Sequence, residues 1–176
     1  MKFYFKKRFL KGMFASLLCL PFLLFNHEAL AVSYTTVYLD NDEGAINSTQ
    51  NQYEGNWTYQ SYTGSYRGDH RLTSGTDGYR GAYVWKFGYK SGTRDFAVHL
   101  NHPNFTDPSA EYFVAENGTY GRLYLIATLN QNTAPGGWNT IKAGYSSNTN
   151  YSHLVVGQSV DAASTGADGA RIIYAE

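Results

Sequence analysis

The residues with the richest chemistry fall within ten positions: Tyr62, Tyr66, Arg67, Asp69, His70 and Arg71, interleaved with Gly64 and Gly68. Sugar rings present apolar C–H faces that lie against aromatic rings, while Asn, Asp, Gln and Arg satisfy their hydroxyls. Small-molecule sites combine an apolar floor with a few placed polar groups in this way. The set offers both chemistries and stands outside the core periodicity of the flanking strands, so it is the leading candidate for a ligand-binding loop. Tyr145 and Tyr151, on either side of an Asn/Ser-rich link, form a second candidate pair. The expected partner is a polysaccharide or cell-wall glycan. Trp57, Trp85 and Trp138 lie on strands or strand starts, where large aromatics more often fill a β-core.

Other constellations are weaker. Gly157-Gln158-Ser159-Val160-Asp161 approaches a G-x-S-x-G nucleophile elbow but lacks the last glycine and the strand-to-helix setting. His99-x-x-His102 would chelate a metal only if the chain bent near Asn101, because strand residues three apart point to opposite faces. Asp40, Asp42 and Glu43 crowd carboxylates into a turn ended by Gly44. Oxygen ligands of that kind suit calcium, although the EF-hand spacing is absent. No catalytic residue is assigned.

These residues must be positioned by strands. In Tyr79–Tyr89 the odd positions are Tyr79, Gly81, Tyr83, Trp85, Phe87 and Tyr89, which puts one aromatic row on one face of a strand. Arg94–Leu100 alternates again, with Phe96, Val98 and Leu100 sharing a face, and the pair reads as a β-hairpin across Lys90–Thr93. Further strands are expected at Val32–Leu39, Gly55–Ser61, Glu111–Ala115, Thr119–Leu129, Trp138–Tyr145, His153–Gly157 and Ala170–Tyr174, with a short edge strand near Arg71–Thr73. Asn117-Gly118 marks a second hairpin, and the Thr119–Leu129 strand, apolar on both faces, is expected inside its sheet. About eight or nine short strands and no sustained 3.6-residue pattern indicate an all-β, two-sheet antiparallel β-sandwich of jelly-roll type.

Residues 1–31 read as a signal peptide: five Lys/Arg, the apolar run Met13–Phe25, then Ala29-Leu30-Ala31 as a small-x-small cleavage site. The run is too short to span a bilayer comfortably, since that takes about 20 residues. Leu18 before Cys19 is bulky where a lipid-attachment signal wants a small residue. The remaining residues, 32–176, make a single domain. It carries nine Lys/Arg against 13 Asp/Glu, a net charge of −4, which argues against nucleic acid or anionic membrane as partners. Cys19 is the only cysteine, so this domain has no disulfide and relies on burial by its 15 tyrosines and three tryptophans. A cysteine-free exported chain fits a bacterial secreted protein.

Several segments together resemble the golvesin C-terminal-like domain, related to the carbohydrate-binding-like module of xanthan lyase. They are Val37-Tyr38-Leu39-Asp40-Asn41, Gly55-Asn56-Trp57, Tyr66-Arg67-Gly68-Asp69, Trp85, Ala110–Val114, Gly136-Gly137-Trp138 and Ala167-Asp168-Gly169-Ala170-Arg171, in the family's order across nearly all of 32–176. The chain departs from the pattern at Glu111 (for Pro), at Gly169 (for Ala) and in lacking a Leu-Gly after the Trp138 strand. The resemblance implies a β-sandwich that accompanies secreted or surface enzymes and binds polysaccharide, and it brings no established catalytic residues. It also implies that first and last strands pair, which would bring Asp168 to the Asp40, Asp42 and Glu43 group as a structural calcium ligand. Two other classes stay open: an extracellular structural or adhesive protein making protein–protein contacts, and a small polysaccharide-acting hydrolase or lyase.

Overall fold

The computed structural model describes residues 32–41, 50–74, 81–90, 92–116, 121–147, 151–158 and 163–176. Residues 1–31, where the signal peptide is expected and which include Cys19, lie outside these residues, as do Asp42, Glu43, Tyr79, Asn117-Gly118, Ser159 and the side chain of Tyr151.

Among the described residues, twelve strands form three antiparallel sheets. The first runs β1 (Tyr34–Leu39), β12 (Ala170–Ala175), β6 (Arg94–Leu100), β9 (Gly137–Tyr145). The second runs β2 (Asn51–Glu54), β5 (Ala82–Tyr89), β10 (Tyr151–Gly157), β7 (Ala110–Glu116), β8 (Arg122–Leu129). A small third sheet holds β11 (Ser164–Ala167), β4 (Asp69–Ser74) and β3 (Thr58–Ser61). The all-β sandwich expected from the alternation is therefore present. First and last strands do pair, Tyr38 opposite Arg171 and Leu39 opposite Ala170. Among the described residues no helix is long and apolar enough to cross a membrane.

The core lies between the two larger sheets and is built from the predicted rows. Tyr83, Trp85 and Phe87 point inward from β5, Phe96, Val98 and Leu100 from β6, and Tyr112, Val114, Leu154, Val156 and Ile172 complete it. Removing each such side chain from water contributes roughly 1.5–3 kcal/mol. The buried polar ends find partners: Trp85 Nε1 donates to the Asp168 carbonyl at 3.2 Å, and the Tyr83 hydroxyl donates to the Asn41 carbonyl.

Two expectations are corrected. β5 and β6 are not a hairpin. β5 pairs with β10 and β2, whereas β6 pairs with β12 and β9. Both strands carry a heavy apolar row, and the rows meet across the core, with Phe87 and Phe96 centroids 6.5 Å apart. The chain between them crosses from one sheet to the other. β7 and β8 do pair as a hairpin, but β8 is an edge strand rather than an interior one. Its second apolar face borders a small outer cluster, Val84, Ala115 and Val155 with Ala82 and Phe113, and leaves Leu123 and Leu125 about half exposed.

Candidate functional site

Alternation also decides what the first sheet shows to solvent. On β1 the inward positions are Val37 and Leu39, so Tyr34, Thr36 and Tyr38 face out. Register carries the same parity across the sheet, with Tyr38 opposite Arg171, Arg171 opposite Ala97, and His99 opposite Trp138. Tyr66 arrives from outside the sheet and lies over this end of it.

The result is an aromatic platform. Tyr66 stacks on Tyr38 at 6.3 Å with planes 23° apart, and meets Trp138 edge-to-face at 5.1 Å. Tyr38 and Trp138 are 5.4 Å apart, and His99 sits 5.9 Å from Tyr66 and 5.3 Å from Trp138. The Arg67 guanidinium stands 5.2 Å over Tyr66 and that of Arg171 5.1 Å over Trp138. Cations over ring faces are attracted by the π-quadrupole.

Tyr66 is held by a tight turn. The Tyr62 N–H donates to the Gly68 carbonyl at 2.8 Å, the Ser65 N–H to Tyr62, and the Gly68 N–H to Ser65. Arg67 adopts φ +56°, a left-handed conformation uncommon for a residue with a Cβ. Strain of this kind, of order 1–3 kcal/mol, clusters at functional sites. The compensation comes from Asp168, buried just before β12. Its carboxylate accepts the Tyr66 N–H at 2.9 and 3.1 Å, and its Oδ2 lies 2.8 Å from His99 Nδ1. Burial raises the Asp168 pKa despite these donors. Burial likewise raises that of the Tyr66 hydroxyl, with the Asp40 charge adding to it.

Gly169 makes room for the ring. A Cβ there would lie 2.6 Å from Tyr66 Cδ1 and 2.8 Å from its Cγ. We expect Gly169→Ala to displace Tyr66 from the platform and to cost about 1–3 kcal/mol, the usual range for overpacking. Loss of the Tyr66–Trp138 ring-current shifts in an NMR spectrum checks it.

The other sequence candidates scatter. Asp69 is buried, with Oδ1 accepting the Asn41 amide at 2.7 Å, and His70 is fully buried, its Nδ1 sharing a hydrogen bond with Ser65 Oγ at 2.9 Å. Both are corrected from ligand contacts to supports, because the stretch that reads as loop continues into β4 and turns them inward. Arg71 lies over Tyr53 and Tyr59 at 4.8 and 5.9 Å, on the third sheet. Tyr145 is at the opposite end of β9 from Trp138, half-buried against Phe96, with its hydroxyl 3.1 Å from Glu116 Oε1. It does not join the platform. Tyr62 stays exposed beside His102.

The His99–His102 chelate does not form, and Asp42 and Glu43 of the candidate calcium group lie outside the described residues. His99 turns to Asp168, whereas His102 turns to His70 at 4.1 Å and accepts the Asn104 N–H on Nδ1, so the two imidazoles do not converge. Asp40 Oδ1 accepts the Asn41 N–H, and both Asp168 oxygens are engaged. Among the described residues no group of three His, Cys, Asp or Glu is placed to hold a metal. Tyr38, His99, Trp138 and Arg171 were not in the expected ligand set. The alternation on β1 was the legible signal for Tyr38, since it put that side chain opposite Leu39.

Comparison places this architecture among known folds. No family model and no curated protein sequence matches the chain. Among solved structures, xanthan lyase from Paenibacillus aligns over 80% of this chain at 20% identity with a TM-score of 0.62. The chain corresponds to only 13% of that enzyme's length. The CBM35 from Cellvibrio japonicus Abf62 aligns over 80% of this chain and 97% of its own, at 16% identity and a TM-score of 0.52. An exo-β-1,3-galactanase from Phanerochaete chrysosporium, solved with galactose, gives 16% identity, 80% and 29% coverage and a TM-score of 0.51. At these identities the likeness is one of β-sandwich fold.

Proposed function

We propose that the protein is a secreted, non-catalytic β-sandwich module that binds polysaccharide or cell-wall glycan on the Tyr38–Tyr66–Trp138 platform. The observation that carries this reading is that three large aromatics, able to pack inward, are instead gathered on the outside of the sheet with two guanidinium groups over them. Such a surface has an apolar floor for a sugar ring and donors for its hydroxyls. The fold shared with a CBM35 and with part of a xanthan lyase supports it.

Affinity electrophoresis through gels containing xanthan, β-1,3-galactan or arabinoxylan tests the proposal. At least one of them retards the wild type. Truncating an aromatic anchor costs about 2 kcal/mol, so Trp138→Ala and Tyr66→Ala each weaken retention roughly thirtyfold. Thr36→Ala, on the same face but away from the rings, leaves it unchanged. Equal retention of all four proteins sinks the platform, and no retention of the wild type sinks glycan binding by this panel.

The adhesive alternative has an observation of its own in the half-exposed Leu123 and Leu125 on edge strand β8. Concentration-dependent self-association with no glycan dependence would favour it. The hydrolase alternative asks for two carboxylates flanking the scissile bond, and among the described residues Asp168 is the one carboxylate at hydrogen-bonding distance from His99.

A further inference from the structure

The turn that carries Tyr66 presents a second tyrosine in another direction. Tyr62 stands edge-on to His102 at 4.6 Å and walls a recess of about 290 Å³ together with Asn101, Asn132 and Gly136. That volume is at the low end of small-molecule sites, roughly 300–1,000 Å³, and suits one ring rather than a chain. The recess begins where the platform stops. On β6 and β9 the register runs from His99 opposite Trp138 to Leu100 opposite Gly137, and Asn101 and Gly136 come next.

Its chemistry differs from the platform's. No Lys, Arg, Asp or Glu is among the described residues that line it. The Gln131 amide is spent on Tyr112 and Gly166. Asn101 commits Nδ2 to the Gly64 carbonyl at 2.8 Å, which leaves its Oδ1 to accept. His102 accepts the Asn104 N–H on Nδ1, so its neutral ring carries the proton on Nε2 and donates there. The Asn101 and Asn132 carboxamides, the His102 imidazole and an aromatic wall, all uncharged, match a neutral hydroxyl-rich ring.

We propose that this recess is a second subsite, taking one uncharged sugar residue, a branch or chain end, of a glycan whose neighbouring ring lies on the platform. The inference rests on the glycan-binding reading for its context but is testable separately. Amide NMR titrations of the whole domain with D-galactose, D-glucose and D-glucuronate read it directly. One neutral sugar shifts the Asn101 and Asn132 side-chain amides, and glucuronate does so at least tenfold more weakly, a difference of about 1.4 kcal/mol. Asn132→Trp, at an exposed position on the rim, blocks the response as read at the Asn101 amide, whereas Trp138→Ala keeps it. If Asn132→Trp fails to fold, Tyr62→Ala removes the aromatic wall of the recess and must weaken the response at Asn101. The subsite is overturned if neither neutral sugar shifts these amides, if glucuronate acts as strongly, or if Asn132→Trp responds like the wild type. Polysaccharide retention without the amide shifts overturns the recess and leaves the platform. The shifts without retention do the reverse.

Discussion

Acidification from about pH 7 to pH 4 removes several kcal/mol of stability, and two buried histidines are the reason. His70 is enclosed by Tyr62, His102 and Phe105, with centroids at 6.5, 4.1 and 5.0 Å, and its pKa is lowered to about 4, first by burial and then by His102. His153 lies in β10 between Lys86 and Ala115, and its pKa is also lowered to about 4, by burial first, then Lys86, against an opposing hydrogen bond at Ser152. The unfolded chain protonates both near 6.5. Between 6.5 and 4 it therefore binds more protons than the folded chain, so stability is full above 6.5 and falls steadily to a floor below 4. Each histidine accounts for about 3 kcal/mol at 1.36 kcal/mol per unit, against total stabilities of roughly 5–15 kcal/mol. His102, lowered in the same direction by burial, adds to the fall. Asp168, raised by burial, opposes it at lower pH, because there the folded state holds a proton that the unfolded chain has released. Urea unfolding at about pH 7, 5.5 and 4 measures the slope. His70→Phe and His153→Leu should each flatten it by about half. A slope unchanged in both variants would show that the histidines titrate normally.

The pattern of alternation made the sandwich readable from the chain, because a period of two is a local property. Tyr83, Trp85 and Phe87 could be assigned to the interior from spacing alone, and they are there. Partnership was less legible. The rows of β5 and β6 are equally compatible with lying side by side in one sheet and with facing each other across the core, and only the long-range pairing with β10 and β12 separates these. The same limit applied to the site. Tyr66 was found because it sits among loop residues, whereas its neighbours Tyr38, His99 and Trp138 come from three separate strands and meet only through register. His70 and Asp69 misled because a short strand embedded in a glycine-rich stretch carries no sustained alternation. Asp168 came into view through the pairing of first and last strands, but the role in which the structure places it is that of a strut for a turn.

That role makes Asp168 the residue whose loss should reach furthest. Its side chain is buried and touches no outer surface, yet it holds Tyr66 through the main chain and His99 through the imidazole. Asp168→Ala deletes both contacts and leaves the buried donors without an acceptor. Hydrogen bonds to a charged group contribute about 1.5–3 kcal/mol, so a net loss of roughly 3 kcal/mol is expected. For a domain of this size that corresponds to a melting temperature lower by on the order of 10 °C. The Trp85 bond to the Asp168 carbonyl is main-chain and survives, so the core itself should stay packed. The damage should concentrate at the turn. The Tyr66 amide, protected from exchange in the wild type, becomes labile, Arg67 is no longer held left-handed, and retention in polysaccharide gels falls as far as in Tyr66→Ala. Asp168→Asn separates geometry from charge. Its amide oxygen still accepts the Tyr66 N–H, and its NH₂ can donate to Nδ1 of a neutral His99. It should therefore keep most of the stability and most of the retention near neutral pH. If Asp168→Ala instead lowers stability while Tyr66 keeps its exchange protection and retention is unchanged, the turn is set by its own backbone bonds, and the platform does not depend on the carboxylate beneath it.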